Sequence, residues 1–130
     1  MIENCYAVEE IYVSTGTIMG GIAATIENGA IIRNCVAAMP RIRTGSTLTT
    51  LFRITNNANP AWRTNNYALD TMLIGASPVS NTDPNSTHGT NATITQLKSK
   101  VFYQNVLRWD FTKEWKIDKG NDLPKIKGFV

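Results

Sequence analysis

Residues 2–7 read Ile-Glu-Asn-Cys-Tyr-Ala and residues 32–37 read Ile-Arg-Asn-Cys-Val-Ala, so the two cysteines stand 30 residues apart. Only the Glu3/Arg33 position changes character between the copies. A third copy is read at Asn65-Asn66-Tyr67-Ala68, where Tyr67 and Ala68 match Tyr6 and Ala7 at a spacing of 61. A unit of this length cannot bury its own apolar face, so it must stack on its neighbours to make a core. That requirement limits the chain to repeat architectures.

The residues between the copies indicate strands. Ile18-Met19-Gly20-Gly21-Ile22-Ala23 and, one period on, Leu48-Thr49-Thr50-Leu51-Phe52-Arg53-Ile54 are short β-branched and apolar runs bounded by Gly, Asn and Thr. The chain holds 13 Asn and 16 Thr, types that favour turns and strands over helix interiors. The expected fold is all-β: a right-handed parallel β-helix of about three coils over residues 1–75. Stacked strands lie about 4.8 Å apart with like residues over like. The reading therefore places Ile2 over Ile32, Asn4 over Asn34 and Cys5 over Cys35. The asparagines then either bond to one another as a side-chain ladder or serve as turn residues in the left-handed region. The cysteines are read as reduced, buried thiols, with a disulfide as the alternative.

Residues 76–94 lie in a stretch crowded with Ser, Asn, Thr, Gly and Pro and are expected to be a polar loop or linker. Residues 95–130 are expected to close the last coil as a C-terminal cap packed with the repeats as one domain. One short helix is predicted there, with Thr95 as N-cap and Leu97, Val101 and Phe102 facing inward. Tyr103, Trp109, Phe111, Trp115 and Leu123 supply the apolar area of that cap.

These features, NCYA and NCVA at a thirty-residue period, the Gly-Gly-Ile-Ala stretch and the ending FYQNVLRWDFTKEWKIDKGNDLPKIKGF, resemble the GLUG-repeat proteins. In the ending, Tyr103, Trp109-Asp110-Phe111, Trp115, Ile117, Gly120 and Leu123-Pro124 match the block that follows such repeats. The resemblance spans nearly the whole chain and departs at Leu51-Phe52-Arg53-Ile54, where the family has a Gly-Leu-Val-Gly-like stretch. It implies a β-helical, adhesin-like module of a bacterial surface or secreted protein, with an extracellular or cell-surface location and no catalytic residues to carry over. The chain begins inside a repeat without a basic, apolar leader, so it is expected to be a fragment, an excised domain or the tail of a longer protein.

Few side chains are placed for chemistry. Two cysteines one repeat apart do not have zinc-site spacing, and the single histidine, His88, is read as a loop turn residue. The HExxH, GxSxG and GxxxxGK[ST] patterns are missing, so neither metal, cofactor nor catalytic set is expected. A polysaccharide-processing enzyme needs clustered carboxylates. Here Glu9 and Glu10 are adjacent and would face opposite sides of a strand, while Glu3 and Glu27 belong to the first coil alone.

Charge is segregated: residues 1–27 hold four acids and no base, and residues 28–69 hold five arginines and no acid. The arginine block lacks interleaved aromatics, so it is read as a solvated rim and nucleic acid is not an expected partner. The alternative is a glycan- or polyanion-binding site built from Trp62 with Arg33, Arg53 and Arg63, serving a host or microbial glycan or protein. No apolar run approaches the roughly 20 residues of a membrane span, so insertion by this chain is not expected. The leading expectation is a non-catalytic structural or adhesion module.

Overall fold

The computed structural model describes residues 1–14, 16–45, 50–56, 59–80, 83–118 and 120–128. Leu48 and Thr49 of the second apolar stretch, and Phe129 of the C-terminal block, lie outside the described residues. The first repeat supplies β1 (Ile2–Glu3), β2 (Tyr6–Ala7), β3 (Ile11–Val13) and β4 (Ile18–Gly20). The second supplies β5 (Ile32–Arg33), β6 (Val36–Ala37), β7 (Arg41–Thr44) and β8 (Thr50–Phe52). The third supplies β9 (Arg63–Thr64), β10 (Tyr67–Leu69) and β11 (Leu73–Ile74).

Equivalent strands pair in parallel, giving ladders β1-β5-β9, β2-β6-β10, β3-β7-β11 and β4-β8. Ile2 stands opposite Ile32, which stands opposite Arg63; Tyr6 stands opposite Val36, which stands opposite Tyr67. The offset is 30 residues at Ile2 and Ile32 and 32 at Ile18 and Thr50, so the repeats lengthen between corners without losing register. The protein is predominantly β, with several small sheets in place of one large one.

One conformation explains the recurring asparagine. Asn4, Asn34 and Asn65 have φ of 54°, 53° and 55°, each at the corner between the first and second strand of its repeat. Asparagine visits this left-handed region at low cost because its short amide bonds locally, whereas most side chains clash. The second and third corners are also joined, Asn65 Nδ2 donating to Asn34 Oδ1 at 2.9 Å and to Val106 O at 2.7 Å. The ladder stops there, for Asn4 Oδ1 is buried without a partner. In the third repeat Asn66 takes the cysteine position. Its amide bridges back to the second repeat, accepting from Cys35 N and donating to Ile32 O, both at 3.1 Å.

The Gly20-Gly21 pair answers a different need. Gly21 N donates to Phe52 O at 3.1 Å and Ile22 N to Ile54 O at 3.0 Å, bringing the backbones of two repeats together. A Cβ on Gly21 would collide with Arg53 O, and one on Gly20 with Ala23 O. The second repeat lies between its neighbours and buries Ile32, Cys35, Val36, Ala37, Met39 and Ile42 completely, whereas Ile2, Tyr6, Ala7 and Ile11 of the first repeat are only partly covered.

Residues 76–94 are not simply a loop. Ser77–Pro78 form β12, antiparallel to β11, and Thr90–Ala92 form β13, a fourth parallel strand beside β10. Between them the chain closes the far edge of the stack: Thr87 O accepts from Ile54 N and Thr55 N, and Pro84 O accepts from Asn66 N. The polar composition that marked a linker reflects a strand-edge cover, whose backbone groups do the bonding.

The C-terminal segment also departs from expectation. It holds two helices in place of one, α1 (Ile94–Leu97) and α2 (Lys100–Asn105). Thr93, not Thr95, caps the first: its Oγ1 accepts from Gln96 N at 3.1 Å while Gln96 Oε1 accepts from Thr93 N at 2.8 Å. The break at Lys98 and Ser99 resets the helical face, so Leu97, Phe102 and Tyr103 are buried while Val101 is 62% exposed.

The aromatic block beyond the helices runs along the side of the stack and does not lie over its last edge. Trp109 stacks on Trp115 with centroids 4.3 Å apart, and both rings meet Tyr6 of the first repeat. Trp109 Nε1 donates to Asn34 O of the second repeat at 2.9 Å, and Phe102 meets Tyr67 of the third edge-on. Alternate strand residues face opposite sides, so Tyr6, Val36 and Tyr67 present one face to this block and Ala7, Ala37 and Ala68 the other to the interior. Phe111 is buried with them, while Leu123 is half-buried beside the hairpin of β14 (Trp115–Lys116) and β15 (Lys125–Ile126).

A methyl group at Gly21 must push two repeats apart. Gly21→Ala is expected to lower unfolding stability by about 1–3 kcal/mol in urea titration, the usual cost of overpacking.

Candidate functional site

The four residues read as a ligand set differ in exposure and in what they bind. Arg33 is exposed and bound to Glu3, Nη2 to Oε2, at 2.7 Å. Trp62 ends a short 3₁₀ turn, Pro60–Trp62, and is half-buried against the core. Arg63 stands in the ladder position held by Ile2 and Ile32, is 6% exposed, and donates from Nε to Asn85 O at 2.9 Å. Burial lowers its pKa, Asp83 opposing. Arg53 is completely buried. Two of the three arginines therefore face the protein's own backbone, and no shared binding surface forms from the set.

The segregated charge becomes pairing once the repeats stack. Glu3 meets Arg33 across β1 and β5, and Glu10 meets Arg43 at 2.6 Å and Arg41 at 3.8 Å across β3 and β7. Arg43 also lies over the ring of Tyr12, 5.1 Å from its centroid. Two acids of the first repeat, Glu3 and Glu10, thus pair with Arg33, Arg41 and Arg43 of the second.

Arg53 makes the densest polar contact in the described residues. Its Nε donates to His88 O at 2.9 Å, Nη2 to Gly89 O at 3.0 Å and Nη1 to Asn91 Oδ1 at 2.6 Å, while its backbone N donates to His88 Nδ1 at 3.2 Å. Burial pulls its pKa down to about 10, with Asp70 opposing, so it keeps its charge at neutral pH. The His88 ring packs on Phe52 at 5.6 Å between centroids. Burial, and secondarily the Arg53 charge, lower the His88 pKa, and the neutral ring is the form that accepts from Arg53 N. Gly89 sits at φ +68° with Asn66 O 2.7 Å from where a Cβ would lie. A histidine read as a loop residue is thus half of a clamp holding the edge cover.

An accessible recess occurs at the opposite edge. Two adjoining grooves, of about 400 and about 350 Å³, open between the first-repeat corner and the β14–β15 hairpin. One is lined by Asn4, Cys5, Tyr6, Trp115 and Ile126, the other by Glu3, Asn4, Glu114, Trp115 and Ile126. Cys5 and Cys35 are both free thiols, Cys5 exposed and Cys35 buried, so the reading of two buried thiols holds only for Cys35. No sequence pattern marks this recess, because its walls come from residues more than 100 positions apart. Among the described residues no group of three or more His, Cys, Asp or Glu is placed to hold a metal ion, and no helix is long and apolar enough to cross a membrane.

Comparison with known proteins adds no relative: no family model, no curated protein and no solved structure matches the chain.

Two outcomes test the clamp. Arg53→Met leaves three acceptors without a donor, the buried Gly89 carbonyl among them, and is expected to cost about 2–5 kcal/mol, whereas Arg33→Ala, exposed, is expected to cost about 0–1 kcal/mol, both read by denaturant unfolding. Because the folded His88 pKa lies below the unfolded value near 6.5, the unfolded chain binds the proton more readily. Its contribution is complete above about pH 6.5 and is lost as pH falls from there toward the folded pKa. Urea titrations at successive pH values are expected to show that loss in the wild type and a smaller one in His88→Asn.

Proposed function

We propose that the chain is a non-catalytic structural module, a right-handed parallel β-helix of about three coils from a bacterial cell-surface or secreted protein of the GLUG-repeat kind, with an adhesion-like role. The observation that carries this reading is the in-register parallel pairing of equivalent strands through three repeats, Tyr6 to Val36 to Tyr67. Such a stack is stiff along its axis, because every repeat bonds its neighbours through backbone ladders. The polar groups support the same reading. Arg53 and Arg63 hold backbone carbonyls of the edge cover, and Glu3 and Glu10 are joined to arginines of the next repeat. They are spent on joining repeats, which is what a spacer requires.

The reading predicts no turnover on a panel of polysaccharides and a folded chain that resists limited proteolysis from the first repeat to β13. Antibodies raised against it should label intact cells of its source. Polysaccharide turnover that disappears in Glu9→Gln or Glu10→Gln would overturn it.

A further inference from the structure

The pairing Ile2–Ile32 and Glu3–Arg33 before the corner, and Tyr6–Val36 and Ala7–Ala37 after it, leaves Cys5 directly opposite Cys35. Paired strands lie about 4.8 Å apart, within the roughly 4.4–6.8 Å between Cα atoms that a disulfide spans. The two thiols are oriented alike, each donating to the carbonyl two residues earlier: Cys5 Sγ to Glu3 O at 3.1 Å and Cys35 Sγ to Arg33 O at 3.2 Å. The third repeat has Asn66 here, so the chemistry is confined to one pair. Cys5 is exposed and lines the groove of about 400 Å³ with Asn4, Tyr6, Trp115 and Ile126, whereas Cys35 is buried.

We propose that Cys5 and Cys35 form a thiol–disulfide site: a low-molecular-weight disulfide enters the groove, reacts at Cys5, and leaves the first repeat covalently joined to the second. The Cys5 thiolate attacks one sulfur of the incoming disulfide RSSR, forming Cys5–S–SR and releasing RS⁻. Cys35 then gives its proton to solvent, and its thiolate attacks the Cys5 sulfur, forming the Cys5–Cys35 bond and releasing the second RS⁻. The two protein thiols are oxidised, RSSR is reduced to two thiols, and the two released thiolates take up the two protons. The second step is the slow one, since burial holds the Cys35 thiol up at about 12 and the thiolate must form during local opening of the edge repeat.

The test treats the folded chain with cystamine or oxidised glutathione at pH 8 and follows mass and thiol count after acid quench. The expected result is a transient adduct on Cys5, giving way to a monomer that has lost two hydrogens, shows a 5–35 link by peptide mapping and unfolds at a higher denaturant midpoint. Cys35→Ala should stop at the Cys5 adduct, and Cys5→Ser should not react while folded. A wild-type adduct that persists beyond the hours typical of uncatalysed exchange, disulfide-linked dimers, or no reaction at Cys5 would each overturn the site. The wild-type mapping decides the matter without the Cys35 variant should that variant fail to fold.

Discussion

Tyr6, Val36 and Tyr67 stand opposite one another across three parallel strands, and the other features of the protein follow from that register. It sets the three asparagine corners above one another, brings Gly21 against Arg53 O, and places the acids of the first repeat beside the arginines of the second. A slip of one residue would reverse every side chain's face and send Ala37 outward in place of Val36. The glycine pair and the left-handed asparagines are the local devices that make such a slip costly, because each tolerates a geometry that few other residues accept.

Stacking leaves two kinds of surface to cover, edges and faces, and the chain treats them differently. The far edge exposes backbone donors and acceptors, and residues 83–92 meet them with backbone and small polar groups, clamped by Arg53. The face carrying Tyr6 and Tyr67 is apolar, and the C-terminal aromatics cover it. The division follows the chemistry of each surface. Polar composition belongs at a strand edge, where unpaired groups must be satisfied, and large rings belong on a face where area counts.

Arg53 also explains why the second repeat departs from the Gly20-Gly21 pair of the first. A guanidinium can be buried when its donors find oxygens in the right places, and His88 O, Gly89 O and Asn91 Oδ1 supply three. Glycine in that position could not reach the edge cover at all. Repeat identity is thus given up where the stack ends and must be joined to something other than another repeat. Arg63 and Asn66 show the same change one and two ladders on, each replacing an apolar or thiol side chain with one that reaches backbone.

The sequence by itself determined the all-β character and the alignment of the first two repeats, because Ile-x-Asn-Cys-x-Ala recurs 30 residues apart and backbone pairing reads spacing directly; the third copy keeps only Asn65 and Ala68 of that motif. It also marked the aromatic block as core. Only the tertiary structure decided that this block lies on a face, that helix formation breaks at Lys98, that Arg53 and Arg63 turn inward, and that Cys5 opens on a groove closed by Trp115 and Ile126. Periodicity fixes which residues of one repeat meet those of the next. Which surface a long side chain chooses depends on the acceptors that distant segments bring to it, and those have no fixed separation in the chain.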